Sequence, residues 1–414
     1  MRRKGEGSIV ERKRKDGSVA YLLKYEGSHG SPGERKIHYK TAAGVTMREA
    51  QRELRNLLKS LDDCTHVDHS RMTLATWAES WLRDHVAPRV GAKTHERSAE
   101  IFKLHVNPHL GNLVMQKITA PAIQKVYRDL LESGRRVRPK KGATGERAPA
   151  EPQGLSAATV RAVHVQLSAC LKAAVRQRVI MRNPCDDVTA PKTQRTGSEH
   201  AAIKALDADQ LGALLKAFRG SEMFLLVATL AATGLRRGEA LALRWEDVDL
   251  DLKTLRVHRS VEETRNAVSI KDRPKTKGSR RTITVDDGLV SLLRTEWKRQ
   301  AEEQLRLGRR VGRESLIFHP TPLEPAKPWA PDWVSRKFVR HAIARGFDNV
   351  SLHSLRHTAA TLWLMAGAPV HVVAARLGHH SPTVTLSVYA HVVGRGEERV
   401  AEIAGLVLKG VVSE

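Results

Sequence analysis

Apolar positions recur every three to four residues along much of this chain, the spacing that one face of an α-helix requires. From Met72 onward Leu74, Trp77, Ala78 and Trp81 share such a face. Further helices are predicted at about 93–106, 119–133 and 157–182. Ser156 is placed to cap the last of them, and Val160, Val163, Leu167, Leu171 and Ala174 form its apolar stripe. Asn183–Pro184 stops it, because the residue before a proline is driven out of helical geometry. Residues 135–154 break the helical block with Pro/Gly punctuation and six Lys/Arg, and read as a flexible basic loop.

The flanks of this block carry a different period. Ile9–Arg12 and Ser18–Tyr25 read as strands around a turn at Asp16–Gly17, with Arg35–Lys40 as a third. Thr46 with Glu49 makes a capping box that opens a helix, Met47–Leu61. Polar linkers follow at 62–71 and at about 191–204. Beyond the second, Asp207 with Gln210 caps a new helix. The chain to about 408 then mixes helices with strands at Thr254–Ser260 and Arg280–Val285, joined as antiparallel partners through a turn at Lys275–Ser279. The expected fold is mainly α with small β-sheets (α+β). It has a β-β-β-α module at 1–62, a helical domain at 72–190 and a mixed α/β domain at 205–408.

Charge sharpens this picture. Of 414 residues, 70 are Lys or Arg and 45 Asp or Glu, a net charge of +25. An excess of this size predicts a polyanionic partner, nucleic acid first and an anionic membrane surface second. Residues 1–60 alone hold 15 basic and 7 acidic residues on little apolar framework, which suits an accessory nucleic-acid binder better than an enzyme. The plainer alternative is a solvated basic appendage. A hydrophobic fraction of 41% and seven Trp argue against wholesale disorder. Three cysteines, Cys64, Cys170 and Cys185, have no metal-ligand spacing and are too few for a disulfide scaffold. The longest apolar run, Met223–Leu235, is too short to span a bilayer, and no apolar segment follows the basic start MRRKGEGS. The expectation is a cytoplasmic, nucleoid-associated protein.

Three segments concentrate cationic and proton-carrying side chains. In Thr233–Trp245 (TGLRRGEALALRW) a turn at Gly234 presents Arg236 at the start of a helix. An arginine there opposes the helix macrodipole, and an anionic ligand would supply the missing reason. Glu239, one turn on, is placed to fix the guanidinium or cap the helix. In His353–His357 (HSLRH), His353 and Arg356 share a face, opposite an apolar stripe of Leu355, Ala359 and Leu362. A zinc site on His353 and His357 lacks both an intervening Glu and an obvious third ligand. In Leu377–Ser381 (LGHHS), His379 is followed ten positions later by Tyr389. Singly, His379 and Tyr389 read as ordinary core residues.

Taken in order, these segments resemble the tyrosine recombinases, the phage-type site-specific integrases. They look like that family's Thr-Gly-Leu-Arg box, its Lys in a hairpin turn, its His-x-x-Arg box, its Leu-Gly-His segment and its Tyr nucleophile segment. The resemblance covers about 205–395 by motif and the whole chain by architecture: an arm-type DNA-binding domain, a helical core-binding (SAM-like) domain and a catalytic domain. It implies a site-specific recombinase that cleaves and rejoins DNA through a covalent 3′-phosphotyrosyl intermediate, integrating and excising a mobile element. It implies that Arg236 and Arg356 clamp the scissile phosphate, His353 hydrogen-bonds it and shuttles a proton, His379 donates to a non-bridging oxygen and Tyr389 attacks. Glu239 would orient the first arginine. Lys275 is the chosen general acid, with Lys277 as alternate in the same turn. Thr284–Val285 stands where many relatives have Pro after the strand, which touches only the hairpin edge. His380 beside His379 allows a slipped register, against which Gly378 argues.

The chemistry is intelligible on its own terms. Clustered cations stabilise charge developing on a phosphodiester and favour a phenolate, and a Lys protonates the leaving 5′-oxygen. Bond energy is conserved in the phosphotyrosyl link, so neither ATP nor a metal cofactor is expected. The implied partners are double-stranded DNA with core-type and arm-type sites and further copies of the chain, as a tetramer on DNA. A DNA-bending protein and an excision factor are candidate accessories. An amphipathic segment, Glu397–Val407, would pack in cis or on a neighbouring protomer. Rival readings are a catalytically silent DNA-binding protein of the same fold, a type IB topoisomerase-like enzyme, and an RNA binder. The last is disfavoured by only 4% aromatic residues.

Overall fold

The structure, a computed structural model, describes residues 7–13, 18–26, 37–43, 46–62, 71–135, 153–192, 205–272, 280–379, 381, 383, 385 and 386. Two compact units divide the chain, Met1–Gln194 and Arg195–Glu414.

The first unit opens with an antiparallel sheet in the order β1 (Ser8–Lys13), β2 (Val19–Glu26), β3 (Ile37–Thr41), followed by α1 (Met47–Asp62). The capping box forms: the Thr46 backbone N–H donates to Glu49 Oε2 (3.1 Å) and the Glu49 N–H to Thr46 Oγ1 (3.3 Å). The module's own core is small, built on Leu23, Ala50 and Leu54.

A separate hydrophobic cluster holds the helices α2 (Leu74–Trp81), α3 (Ala92–Ile101), α4 (Asn107–Leu110), α5 (Ala120–Ser133) and α6 (Ala157–Arg176). Leu74, Trp77, Ala78 and Trp81 are all buried, as their spacing predicts. The helix expected at 93–106 runs on from α3 through a wider turn at Phe102–Val106 into α4. The helix expected at 157–182 ends at Arg176. There the Arg178 N–H donates to Val175 O (3.0 Å) and the Val179 N–H to Ala174 O (2.9 Å). Arg178 sits at φ 57°, in the left-handed position that glycine usually takes. This closure turns the chain so that Ile180 enters the core.

In the second unit α7 (Ala208–Phe218) starts on the expected Asp207–Gln210 capping box. Next, α8 (Phe224–Thr233) is apolar on nearly every side, and Leu226, Val227 and Leu230 are completely buried. The longest apolar run of the sequence is therefore a central core helix. Among the described residues no helix is long and apolar enough to cross a membrane. After α9 (Arg237–Leu241) comes β4 (Val248–Asp249), which pairs with β5 (Thr254–Val257). Two further strands, β6 (Ser260–Glu263) and β7 (Val268–Lys271), form their own hairpin. Then β8 (Arg281–Thr284) returns to pair antiparallel with β5, Val257 opposite Arg281. The expected β5–β8 pairing is present, but the first strand stops at Val257 and Ser260 opens the inserted hairpin. The expected turn at Lys275–Ser279 lies outside the described residues. The helices α10 (Asp287–Arg306), α11 (Pro331–Ile343), α12 (Leu352–Met365) and α13 (Val370–Leu377) follow.

Since Leu230 is completely buried in the central cluster, Leu230→Ala should cost about 2–5 kcal/mol. Urea denaturation followed by tryptophan fluorescence would measure it, and a loss below about 1 kcal/mol would contradict the central placement of α8.

Candidate functional site

Two left-handed glycines shape the site. Gly234 (φ 64°) ends α8, its N–H donating to Leu230 O (2.9 Å). A Cβ at Gly234 would come within 2.9 Å of both Leu377 and Trp363 side chains. Gly378 (φ 69°) ends α13 in the same way: its N–H donates to Ala375 O and the His379 N–H to Ala374 O, each at 3.0 Å. His379 is therefore pinned by its backbone to the end of α13.

Arg236 stands in extended conformation immediately before α9. Glu239, buried one turn on, does both things the sequence suggests. Its Oε2 accepts the Arg236 backbone N–H (3.0 Å) and its Oε1 the Arg236 Nη1 (2.9 Å). Arg281, from the start of β8, places Nη2 on the same carboxylate at 2.9 Å. Burial pushes the Glu239 carboxyl pKa up, but Arg281 and the Arg236 N–H outweigh this and hold it below the ordinary value.

A helix leaves its last four carbonyls without intrahelical partners. In α13 each of them is met. Ala374 O and Ala375 O take the two N–H groups of the glycine turn. Arg376 O accepts Arg281 Nε (2.6 Å) and Leu377 O accepts Arg356 Nη2 (2.8 Å). Arg236 Nη2 reaches the next carbonyl, Gly378 O, at a looser 3.4 Å. Arg356 also donates Nη1 to Gly234 O (2.8 Å), so one guanidinium ties the ends of α8 and α13 together. Three arginines thus face three consecutive carbonyls at a helix C-terminus, where positive charge is favoured. They differ in access: Arg356 and Arg281 are buried, whereas the Arg236 side chain is 43% exposed.

The histidines line the same cluster. His353 and His357 pack ring edge to ring face, centroids 4.7 Å apart. Burial, then Arg356 and Arg236, lower the His353 pKa. His357 is lowered to about 4 by burial, His353 and Arg356. His379 is lowered to about 4 by burial, then by Arg356, Arg236, His357 and Arg281. Its Nδ1 lies 2.7 Å from the hydroxyl of buried Thr385. If that hydroxyl donates, the His379 proton sits on Nε2.

Of the residues singled out from sequence, Arg236, Glu239, His353, Arg356 and His379 come together. Lys275, Lys277, His380, Tyr389 and the segment Glu397–Val407 lie outside the described residues. Sequence reasoning gave no role to Arg281, His357 or Thr385. Arg281 follows a run of basic residues and resembles one more solvated charge; only the β5–β8 pairing carries it to the site.

The Phage integrase family matches residues 204–394, and the phage integrase N-terminal SAM-like domain matches residues 73–131. The protein named tyrosine recombinase XerC-like from Caldanaerobacter subterraneus subsp. tengcongensis is 24% identical over 378 residues, 89% of this chain and 91% of its own length. The fold is similar to that of the Tn1549 transposon integrase in complex with transposon right end DNA, with a TM-score of 0.60 at 19% identity over 80% of this chain and 100% of that one. It is also similar to that of a lambda integrase tetramer bound to a Holliday junction, with a TM-score of 0.54 at 17% identity over 90% of this chain and 96% of that one.

The lowered histidines make stability depend on acid. Folded His357 and His379 stay neutral down to about 4, whereas the unfolded chain takes up their protons below the ordinary histidine value of 6.5. The unfolded state then binds more protons, so this contribution is complete above 6.5 and is lost as the pH falls from there toward 4. Urea midpoints between pH 7 and pH 4.5 should fall, and fall less steeply in a His357→Gln, His379→Asn double variant. Equal slopes would refute the assignment.

Proposed function

This chain belongs to the phage integrase family of tyrosine recombinases, enzymes of site-specific DNA recombination, and we propose that Arg236, Lys275, His353, Arg356, His379 and Tyr389 are the residues with which it cleaves and rejoins DNA. The observation that carries this reading is the shared guanidinium of Arg356. Through Gly234 O and Leu377 O it joins the Thr-Gly-Leu-Arg segment, the His-x-x-Arg helix and the Leu-Gly-His turn at one point.

The phosphate's negative charge repels an incoming nucleophile, and Arg236, the exposed guanidinium, is the one best placed to receive a non-bridging oxygen. Arg356 stiffens the floor of the site and adds positive potential. His353 and His379, neutral at working pH, donate hydrogen bonds as charge builds on the phosphoryl oxygens. The Tyr389 phenolate oxygen bonds to phosphorus and the bond to the 5′-oxygen breaks. Lys275, with Lys277 as alternate, gives that oxygen its proton. The product is a 3′-phosphotyrosyl link and a free 5′-hydroxyl. Attack by a 5′-hydroxyl of the partner strand reverses the step and releases the tyrosine.

The remaining assignments follow the layout of the chain. Residues 72–190 and 205–408 would clamp a core-type DNA site, and the basic sheet module at 1–62 would hold a separate arm-type site. Its net positive charge and small core support that role. The assembly would be a tetramer on two DNA sites, serving a mobile element, with a DNA-bending protein and an excision factor as accessory partners. The lambda enzyme's tetramer on a Holliday junction is the precedent for the oligomer.

A suicide DNA substrate carrying the attachment site, taken from DNA flanking the gene, should yield a covalent protein–DNA band on a denaturing gel. Tyr389→Phe should abolish that band while leaving DNA affinity within about twofold, since only one hydroxyl is removed. A Tyr389→Phe protein that still forms the adduct would overturn the nucleophile. Tight binding by the unaltered protein with no adduct on fragments from either flank would favour a silent DNA binder.

A further inference from the structure

We infer that Arg281 is a positioning residue for the strand-cleavage reaction: it locks the carboxylate that orients Arg236 to the turn that carries His379. The inference rests on the site reading above and adds a residue to it. Arg281 is set behind Glu239 and the α13 carbonyl that it bonds. Its side chain is 7% exposed, against 43% for Arg236, so it acts through its neighbours.

The geometry is that of a two-ended clamp. At one end Nη2 donates to Glu239 Oε2 at 2.9 Å. That oxygen also takes the Arg236 backbone N–H, and the other carboxylate oxygen takes Arg236 Nη1. Glu239 is the hinge pin between the two guanidiniums. At the other end Arg281 Nε donates to Arg376 O at 2.6 Å, two residues before the glycine of the His379 turn. The turn is built to admit this side chain: a Cβ on Gly378 would stand 2.7 Å from Arg281 Nη1 and 3.1 Å from its Cζ. Absence of a side chain at 378 therefore serves two needs, the left-handed backbone and the seat for Arg281.

Neither end could be held by a point charge alone. The fork geometry of arginine satisfies an acceptor on Nε and another on Nη2 at once, whereas an ammonium on a flexible stem reaches one or the other. A buried carboxylate that loses one of two cationic partners re-centres on the partner it keeps. Here that would draw the Arg236 side chain toward Glu239 and away from an incoming phosphate. The loss is then one of geometry at Arg236 and His379, with the DNA-binding surface untouched.

Three measurements on the full-length chain test this. In single-turnover cleavage of the suicide substrate at saturating protein, Arg281→Ala should lower the rate constant by about tenfold to a hundredfold, with the DNA dissociation constant within about twofold. Arg281→Lys should recover only part of the loss. The losses from Glu239→Gln and Arg281→Ala should not multiply in the double variant, as expected for residues acting on one target. Multiplying losses, full activity in Arg281→Ala, or a parallel loss of DNA affinity would each overturn the inference. An independent readout needs no cleavage: the His379 imidazole resonance, assigned by its disappearance in His379→Asn, followed through pH. His379 is faced by Arg356, Arg236, His357 and Arg281. Removing the Arg281 cation should shift the resonance and raise its midpoint, and an Arg281→Ala spectrum identical to the parent's overturns the inference whether or not the chain cleaves DNA. If the parent forms no adduct while the His379 shift is seen, the cleavage reading fails and the positional coupling stands. If Arg281→Ala does not fold, the neutral and larger Arg281→Gln carries the same comparisons.

Discussion

Much of this site depends on the C-terminal end of α13, where three guanidiniums meet three consecutive carbonyls. Buried carbonyls with no partner cost about 1–3 kcal/mol each. Here the cost is avoided with cations drawn from distant parts of the chain: Arg281 on Arg376 O, Arg356 on Leu377 O and Arg236 on Gly378 O. The same bonds that satisfy the helix end bring the strand β8, the helix α12 and the segment before α9 to one place. Satisfying the backbone and assembling the site are a single act. The glycines at 234 and 378 make it sterically feasible, because side chains there would collide with Leu377, Trp363 and Arg281.

This construction gathers positive charge. Glu239 is shared by Arg236 and Arg281, and Arg356 lies beside them, bonded to Gly234 O and Leu377 O. The histidines register the surplus: His357 and His379 are pushed to about 4, burial being the first cause and neighbouring cations the next. A phosphodiester entering beside Arg236 would cancel part of that field. It would favour the charged state of the same histidines just as negative charge builds on phosphorus. On the proposed reading, the empty site resists protonation and a bound anion would ease it.

The sequence made local features readable and hid the long-range ones. Capping at Thr46, Ser156 and Asp207 depends on residues three positions apart, and all three caps form. The turn at Gly234 and the pairing of Arg236 with Glu239 are equally local. By contrast, α6 ends six residues before the expected 182, because a left-handed arginine, Arg178, closes the helix where glycine would announce it. The β6–β7 hairpin is hidden in the sequence because Thr254–Ser260 reads as one strand, whereas the chain leaves the β4–β5–β8 sheet after Val257. Arg281 is illegible in the sequence for a deeper reason. Its partners lie 42 and 95 positions away, and no periodicity encodes such a contact.

The order of motifs was more informative than any one of them, and the structure supplies a physical reason. Arg236, His353, Arg356 and His379 each have an ordinary structural explanation taken singly. Arg356 could be a helix-end clamp, and a half-buried His379 could be a core histidine bound to Thr385. A protein that merely held DNA would gain little from this arrangement, since exposed Lys and Arg bind phosphate without the cost of desolvation. Burying two guanidiniums in order to aim a third, and holding two imidazoles neutral beside them, is worthwhile when charge must be stabilised at one point in a transition state. On the proposed reading, the exposed, carboxylate-aimed Arg236 is where that argument meets the substrate. The inferred part of Arg281 is to keep it aimed through Glu239, while Arg356 holds the ends of α8 and α13 together.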